Sequence, residues 1–172
     1  TGKGTVELER VSRGRIVQNI TLSKALGVYG GAILCSQKWR MKFATSRMFV
    51  GSTPLPLPLA CAAGKALQIL RRDTSLRRRL ANNSSFIKST LRRAGFALPD
   101  APGPIVPLHF DNLKQIARVQ RALLAAGILP PLIHYPGSPA NGYFRFVISS
   151  EHTPRQLEQL VRALQPFATM GP

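Results

Sequence analysis

Residues 21–30, Thr-Leu-Ser-Lys-Ala-Leu-Gly-Val-Tyr-Gly, set two hydroxyls and an amine within four positions, on a stretch rich in small side chains. Lysines normally sit on solvated faces, so the ordinary reading of Lys24 is a surface charge. The reading with chemistry in it is a Schiff-base lysine. Such an amine attacks a carbonyl only after losing its proton, which a confined site beside other cations favours. Thr21 and Ser23 would then hold an anionic phosphate beside it. Other motif readings fail on their own terms. Gly2-Lys3-Gly4-Thr5 lacks the glycine spacing of a phosphate-binding P-loop, and no Ser or Thr follows Lys3 directly. Thr21-x-x-Lys24 has the wrong nucleophile for a Ser-x-x-Lys acyl-enzyme. His109, His134 and His152 are scattered without the spacing of metal ligands.

The elements that must position Lys24 are short. Residues 15–20 and 31–35 are β-prone runs, and the lysine lies between them on a glycine-containing loop. Ser36 is placed to cap a helix running through Trp39, Phe43 and Met48. Residues 51–58, Gly-Ser-Thr-Pro-Leu-Pro-Leu-Pro, cannot form regular helix, because each proline removes a donor and restricts its predecessor. Residues 59–70 read as a mostly buried helix of small side chains. Over residues 75–94, Leu76, Leu80, Ile87 and Leu91 share one helical face. Arg71, Arg72, Arg77, Arg78, Arg79, Lys88, Arg92 and Arg93 crowd the remaining surface, and Gly95 ends the helix.

Beyond a proline-containing linker the chain alternates strand and helix. Residues 105–110 and 143–148 read as strands, with Arg145 embedded in the second, and residues 128–135 as an extended stretch. Asp111 is expected to cap a helix through Leu113, Ile116, Val119, Leu123 and Leu124, closed by Gly127. Thr153-Pro-Arg-Gln156 is a capping-box pattern ahead of Leu157, Leu160, Val161 and Leu164. The order β-α-β-β-α implies a small antiparallel sheet with helices on one face. The fold class expected is α/β, with a domain boundary between Leu70 and Pro104.

Composition bounds the function. The chain has 172 residues, and 24 Lys+Arg against 7 Asp+Glu leave a net charge of +17. Its 44% hydrophobic content excludes a disordered basic tail. Two cysteines, Cys35 and Cys61, favour a reducing compartment, and hence the cytoplasm, over a disulfide framework. No apolar run is long enough to span a bilayer, and no signal peptide is legible.

The segment Thr21–Ala32, TLSKALGVYGGA, resembles the cofactor-lysine motif of the α-oxoamine synthases, pyridoxal-phosphate (PLP) enzymes of the fold-type I aminotransferase superfamily. The resemblance continues in order through GKGTVE (2–7), GSTPLPLPLA (51–60), LRRAGF (91–96), PIVPLHF (104–110) and GYFRFVISSEHT (142–153). It implies that Lys24 forms the Schiff base with PLP and then serves as the proton-transfer base. It implies that Thr21 contacts the cofactor phosphate, and that Ser52 and Thr53 reach the phosphate of a partner subunit in a homodimer. Arg145 matches the arginine that binds the amino-acid carboxylate, a role suited to a permanently charged, bidentate guanidinium. Residues 1–74 would be the end of a large PLP-binding domain and residues 75–172 a small α+β domain. The reaction implied condenses an amino acid with an acyl-CoA.

Tyr143-Phe144 and the loop 136–141 depart from the family's wording near the substrate mouth. The chain also lacks the aromatic, the aspartate and the Asp-x-x-His motif that the family carries in its first half. It therefore reads as the carboxyl-terminal portion of an enzyme, inactive alone. An aminotransferase of the same superfamily is the nearest alternative, and a non-catalytic partner subunit is disfavoured by Lys24. A nucleic-acid module built on the Arg71–Arg93 face is the main rival class. It is disfavoured because no aromatics interleave with the cations and no recognised binding motif is present.

Overall fold

The computed structural model describes residues 4–170, so Gly2 and Lys3 of the opening motif lie outside the described residues. The chain divides into two compact units between Thr74 and Ser75.

In the first unit a short helix α1 (Thr5–Leu8) precedes a two-stranded antiparallel hairpin, β1 (Gln18–Thr21) and β2 (Gly31–Leu34), in which Thr21 faces Gly31. The helix expected from Ser36 to Met48 is in fact two, α2 (Gln37–Ala44) and α3 (Arg47–Val50). Thr45 and Ser46 break it. The Thr45 hydroxyl donates back to the carbonyls of Met41 and Lys42, and the Ser46 oxygen accepts the Phe49 N–H at 3.3 Å, starting a new helix. Helix α4 (Leu57–Arg72) begins with Pro58 in its first turn, where a missing N–H is harmless. The expectation that this helix is mostly buried is wrong: none of its residues is buried. Its apolar side chains run all round the helix, and the described residues of this unit supply no layer to cover them. Among the described residues of the unit, only Leu22 and Val28 reach burial.

The second unit opens with α5 (Ser75–Arg93), whose Ile87 and Leu91 are fully buried. Lys88 corrects the sequence reading: it is 6% exposed, not part of the solvated basic face. Helix α5 stops at Gly95, φ +104°, with Phe96 N–H returning to the Leu91 carbonyl and Gly95 N–H to Arg92. That pair of bonds is a Schellman closure. Strand β3 (Ile105–Leu108) leads to α6 (Leu113–Ala125). Its cap is Asn112, not the expected Asp111: Asn112 Oδ1 accepts the Lys114 N–H at 2.8 Å. Strands β4 (Leu132–Ile133) and β5 (Tyr143–Val147) complete an antiparallel sheet in the order β3-β5-β4, and α7 (Pro154–Leu164) closes the unit. The capping box at α7 is formed in full: the Thr153 hydroxyl accepts from Gln156 N–H and the Gln156 side chain from Thr153 N–H.

Strand periodicity places the core. Val106 and Leu108 on β3 and Phe144 and Phe146 on β5 point to one face, where they meet Ile116, Val119, Leu123, Leu157, Leu160 and Leu164. Phe144 is fully buried and sits between Phe110, edge-on at 5.8 Å, and Phe146, stacked at 6.3 Å. Truncating it would leave a large cavity in a packed interior. We expect Phe144→Ala to lower the unfolding free energy by about 3–5 kcal/mol, measured from denaturant midpoints. A change under about 1 kcal/mol would contradict this placement of the core.

Candidate functional site

The hairpin connection holds Lys24 by its main chain. Leu22 N–H donates to Gly30 O at 2.9 Å, Val28 N–H to Leu22 O at 3.1 Å, and Gly27 N–H to Lys24 O at 3.3 Å. Gly27 at φ +62° closes this inner turn in the left-handed region. The buried side chains of Leu22 and Val28 pin both ends of the loop, while Thr21, Ser23 and Lys24 stay exposed. The two hydroxyls are 2.8 Å apart, and Thr21 Oγ1 also accepts the Ser23 N–H at 3.2 Å. Such a pair consumes one hydroxyl proton and leaves the other free to donate outward. An ammonium one residue away makes this a local donor cluster suited to a phosphate oxygen.

Ser52 and Thr53 follow α3 in the same unit, and both are exposed. The Ser52 hydroxyl donates to Phe49 O at 2.8 Å, a bond it would exchange in order to donate to a phosphate oxygen. The segment carrying these two residues is tied to the lysine hairpin through Leu55. A Cβ added to Gly30 would stand 2.9 Å from Leu55 Cδ1 and 3.7 Å from Leu22 Cδ1. Gly30 also adopts φ +123°. Both constraints select glycine.

Arg145 lies in the second unit, on the central strand β5. Its N–H donates to Pro131 O at 2.9 Å, and its side chain alternates away from the Phe144–Phe146 core face. It is half-buried and lines a cavity of about 490 Å³ together with His152, Gln156 and Gln159. No acid pairs with it among the described residues. The bland reading of a strand arginine, pairing with a local carboxylate, therefore has no support.

The turn that brings His152 to this cavity is braced from α5. Asn83 Nδ2 donates to Ser149 O and His152 O at 2.9 and 3.0 Å, and Arg79 Nη2 bonds Glu151 Oε1 at 2.9 Å. The Arg79 hydrogen bond holds the Glu151 carboxyl below the usual carboxylate range, so this tie persists at neutral pH and is lost as acid protonates Glu151. His152 Nδ1 accepts the Ser149 N–H at 3.1 Å, which puts the proton of the neutral imidazole on Nε2. His152 stands in the turn before α7, and that this turn also fronts the cavity of Arg145 is not legible in the sequence, because it depends on α5 packing.

Residues 9–164 match the model of the aminotransferase class I and II family, and the chain belongs to that family. It is 30% identical to the 8-amino-7-oxononanoate synthase of Trichlorobacter lovleyi over 167 residues, covering 95% of this chain and 43% of the relative. The enzyme of the same name from Xylella fastidiosa is 34% identical over 166 residues, at 95% and 41% coverage. Among solved structures, a serine palmitoyltransferase from S. paucimobilis with bound PLP–myriocin aldimine aligns with TM-score 0.82 at 25% identity, covering 98% of this chain and 44% of that one. The chain thus spans less than half the length of the relatives it matches. Its fold is that of the fold-type I PLP-dependent transferases, and its relatives place it with the α-oxoamine synthases.

The geometry at Gly30 generates a test. Alanine there must leave a conformation that L-residues avoid and displace Leu55, at about 1–3 kcal/mol. Gly30→Ala is expected to loosen the hairpin, read as faster amide hydrogen exchange at Leu22 and Val28. Unchanged exchange would show that the loop does not depend on this approach.

Proposed function

We propose that this chain is the part of a PLP-dependent acyltransferase that carries the cofactor lysine and the carboxylate-binding arginine. The whole enzyme would condense an amino acid with an acyl-CoA in the manner of 8-amino-7-oxononanoate synthase, which would place it in biotin biosynthesis. The observation that carries this reading is the fixed hairpin loop presenting Lys24 beside the Thr21–Ser23 hydroxyl pair, 2.8 Å apart. In this reading residues 1–74 end the large PLP-binding domain and residues 75–172 form the small domain.

The donor chemistry suits PLP. Its phosphate would be met by Thr21 and Ser23, and its aldehyde carbon by the Lys24 amine. Ser52 and Thr53, both exposed, would reach the phosphate in the partner of a homodimer. When bound, PLP supplies an electron sink for charge developing at the α-carbon of an amino acid. Lys24 would hold the cofactor in the resting enzyme and, once displaced by substrate, move a proton to or from that α-carbon. Arg145 would engage the substrate carboxylate through two parallel N–H bonds and so fix which α-carbon bond is aligned for cleavage. His152, on the braced turn at the edge of the same cavity, would limit how the substrate sits there. Two free cysteines, Cys35 and Cys61, suit a reducing cytoplasmic setting. No helix among the described residues is long and apolar enough to cross a membrane.

Two substitutions in the whole enzyme test this. Lys24→Ala is expected to lose the borohydride-reducible yellow colour on dialysis and to abolish turnover. Full turnover with retained colour would sink the assignment. Arg145→Ala is expected to raise the amino-acid KM by about 10–100-fold, the loss of a charge-assisted pair, with the acyl-CoA KM little changed. An amino-acid KM equal to that of the parent enzyme would remove Arg145 from the role.

A further inference from the structure

Helix α5 carries a second polar site that the lysine–arginine chemistry does not use. Ala81, Ser84, Ser85, Lys88, Ser89 and Arg92 recur along one of its faces and line a cavity of about 440 Å³ closed by Asp100–Pro102. Two of these residues are anomalous for a helix surface. Ser84 is 4% exposed, yet its Oγ has no hydrogen-bond partner. A buried hydroxyl left unpaired costs about 1–3 kcal/mol, so it is retained against a penalty. Lys88 is equally buried, and its ammonium donates to the carbonyls of Ala101 and Gly103. Two of its three N–H donors are used, leaving one.

Charge completes the picture. Arg92 Nη2 bonds Pro99 O at 2.8 Å and Asp100 Oδ1 at 3.2 Å, and the Asp100 carboxylate is fully exposed. Two cations therefore face one solvated acid, and Arg92 keeps the N–H groups of its other nitrogens. Burial, with Arg92 adding to it, lowers the Lys88 pKa, while Asp100 raises it only in part. A buried ammonium without a close counter-ion is relieved by an anion. The spare donors are the Lys88 N–H, the Ser84 and Ser85 hydroxyls and the remaining guanidinium N–H groups. They form a cationic and hydroxylic set of the kind that binds tetrahedral oxygens. The volume far exceeds the share of a single water, ~30 Å³.

We propose that this cavity between α5 and the 99–103 loop is a binding site for a phosphoryl oxyanion, either inorganic phosphate or the terminal group of a small phosphomonoester. Occupation would give Ser84 its missing partner and Lys88 its counter-ion, and would fasten the loop to the helix.

The test reads Lys88 itself, which separates this site from any phosphate held near Lys24. In the whole protein with ¹³C-labelled lysine, inorganic phosphate and glycerol 3-phosphate are titrated against chloride at equal ionic strength, following the Lys88 ε-methylene resonance. We expect a saturable shift with inorganic phosphate and none with chloride. A matching shift with glycerol 3-phosphate would add phosphomonoesters to the ligands. Ser84→Ala should weaken phosphate binding about tenfold, the worth of one hydrogen bond to a charged group, and Arg92→Gln at least as much. The proposal is overturned if phosphate leaves the resonance unmoved, if chloride reproduces the shift, or if Ser84→Ala binds as tightly as the parent. Loss of cofactor colour in Lys24→Ala has no bearing on this outcome.

Discussion

The two-residue alternation of β5 is the constraint on which the second unit depends. Side chains of a strand point to opposite faces in turn. Phe144 and Phe146 therefore enter the core, while Tyr143 and Arg145 must face away from it. A register slip of one residue would place the guanidinium in the hydrophobic interior and expel two phenylalanines, at a cost far above the stability of a small domain. The core thus fixes Arg145 as firmly as any bond made to it. Pairing on both edges, with Pro107 of β3 facing Arg145 and Pro131 accepting its N–H, removes the remaining freedom of the backbone.

The first unit works on the opposite principle. Its hairpin is stabilised by main-chain bonds and two buried side chains, and an isolated two-stranded hairpin is marginal in water. Trp39, Met48, Phe49, Leu57 and Ile69 remain substantially exposed. Area removed from water stabilises at roughly 25 cal/mol per Å², and little is removed here. The unit positions Lys24 by turn geometry, with Gly27 and Gly30 in conformations that other residues avoid, rather than by mass of packing.

The sequence made some of this legible and withheld the rest for identifiable reasons. Local signals carried well. The Thr153–Gln156 capping box, the glycine closures at 95 and 127, and the strand around Arg145 are all encoded within a few residues. Where two neighbours compete for one role, pattern alone misled. Asn112 caps α6 although Asp111 beside it is as good a capping residue, and Thr45–Ser46 split a helix whose apolar spacing runs on. Burial was the weakest inference, because it depends on distant segments. Lys88 looked like one more cation of a basic helix until the 99–103 loop folded over it, and α4 looked buried because its residues are apolar. The lysine motif is legible within one short segment, but the bracing of His152 by Asn83 needed residues 66 and 69 positions apart to meet.

The charge can now be assigned a physical role. With 24 cations and 7 acids, one-to-one pairing leaves 24 − 7 = 17 cations without an acid. The exposed pairs that do form, such as Arg162 with Glu158 at 3.9 Å, contribute about 0–1 kcal/mol each. Folding therefore gains little from this composition, and self-repulsion works against it. Association is where such an excess acts. The ligands of the function proposed, the phosphate of PLP, a carboxylate and an acyl-CoA, and the oxyanion inferred beside Lys88 are all anions, and each would meet the excess positive charge of this chain. Such steering raises encounter rates and fades as salt shortens the Debye length to about 10 Å at 0.1 M. In the function proposed, the residues that would discriminate among these anions are those of fixed geometry, Arg145 on its strand and Lys24 on its pinned loop. There the remaining charge would set how often a ligand arrives, and those two side chains which one stays.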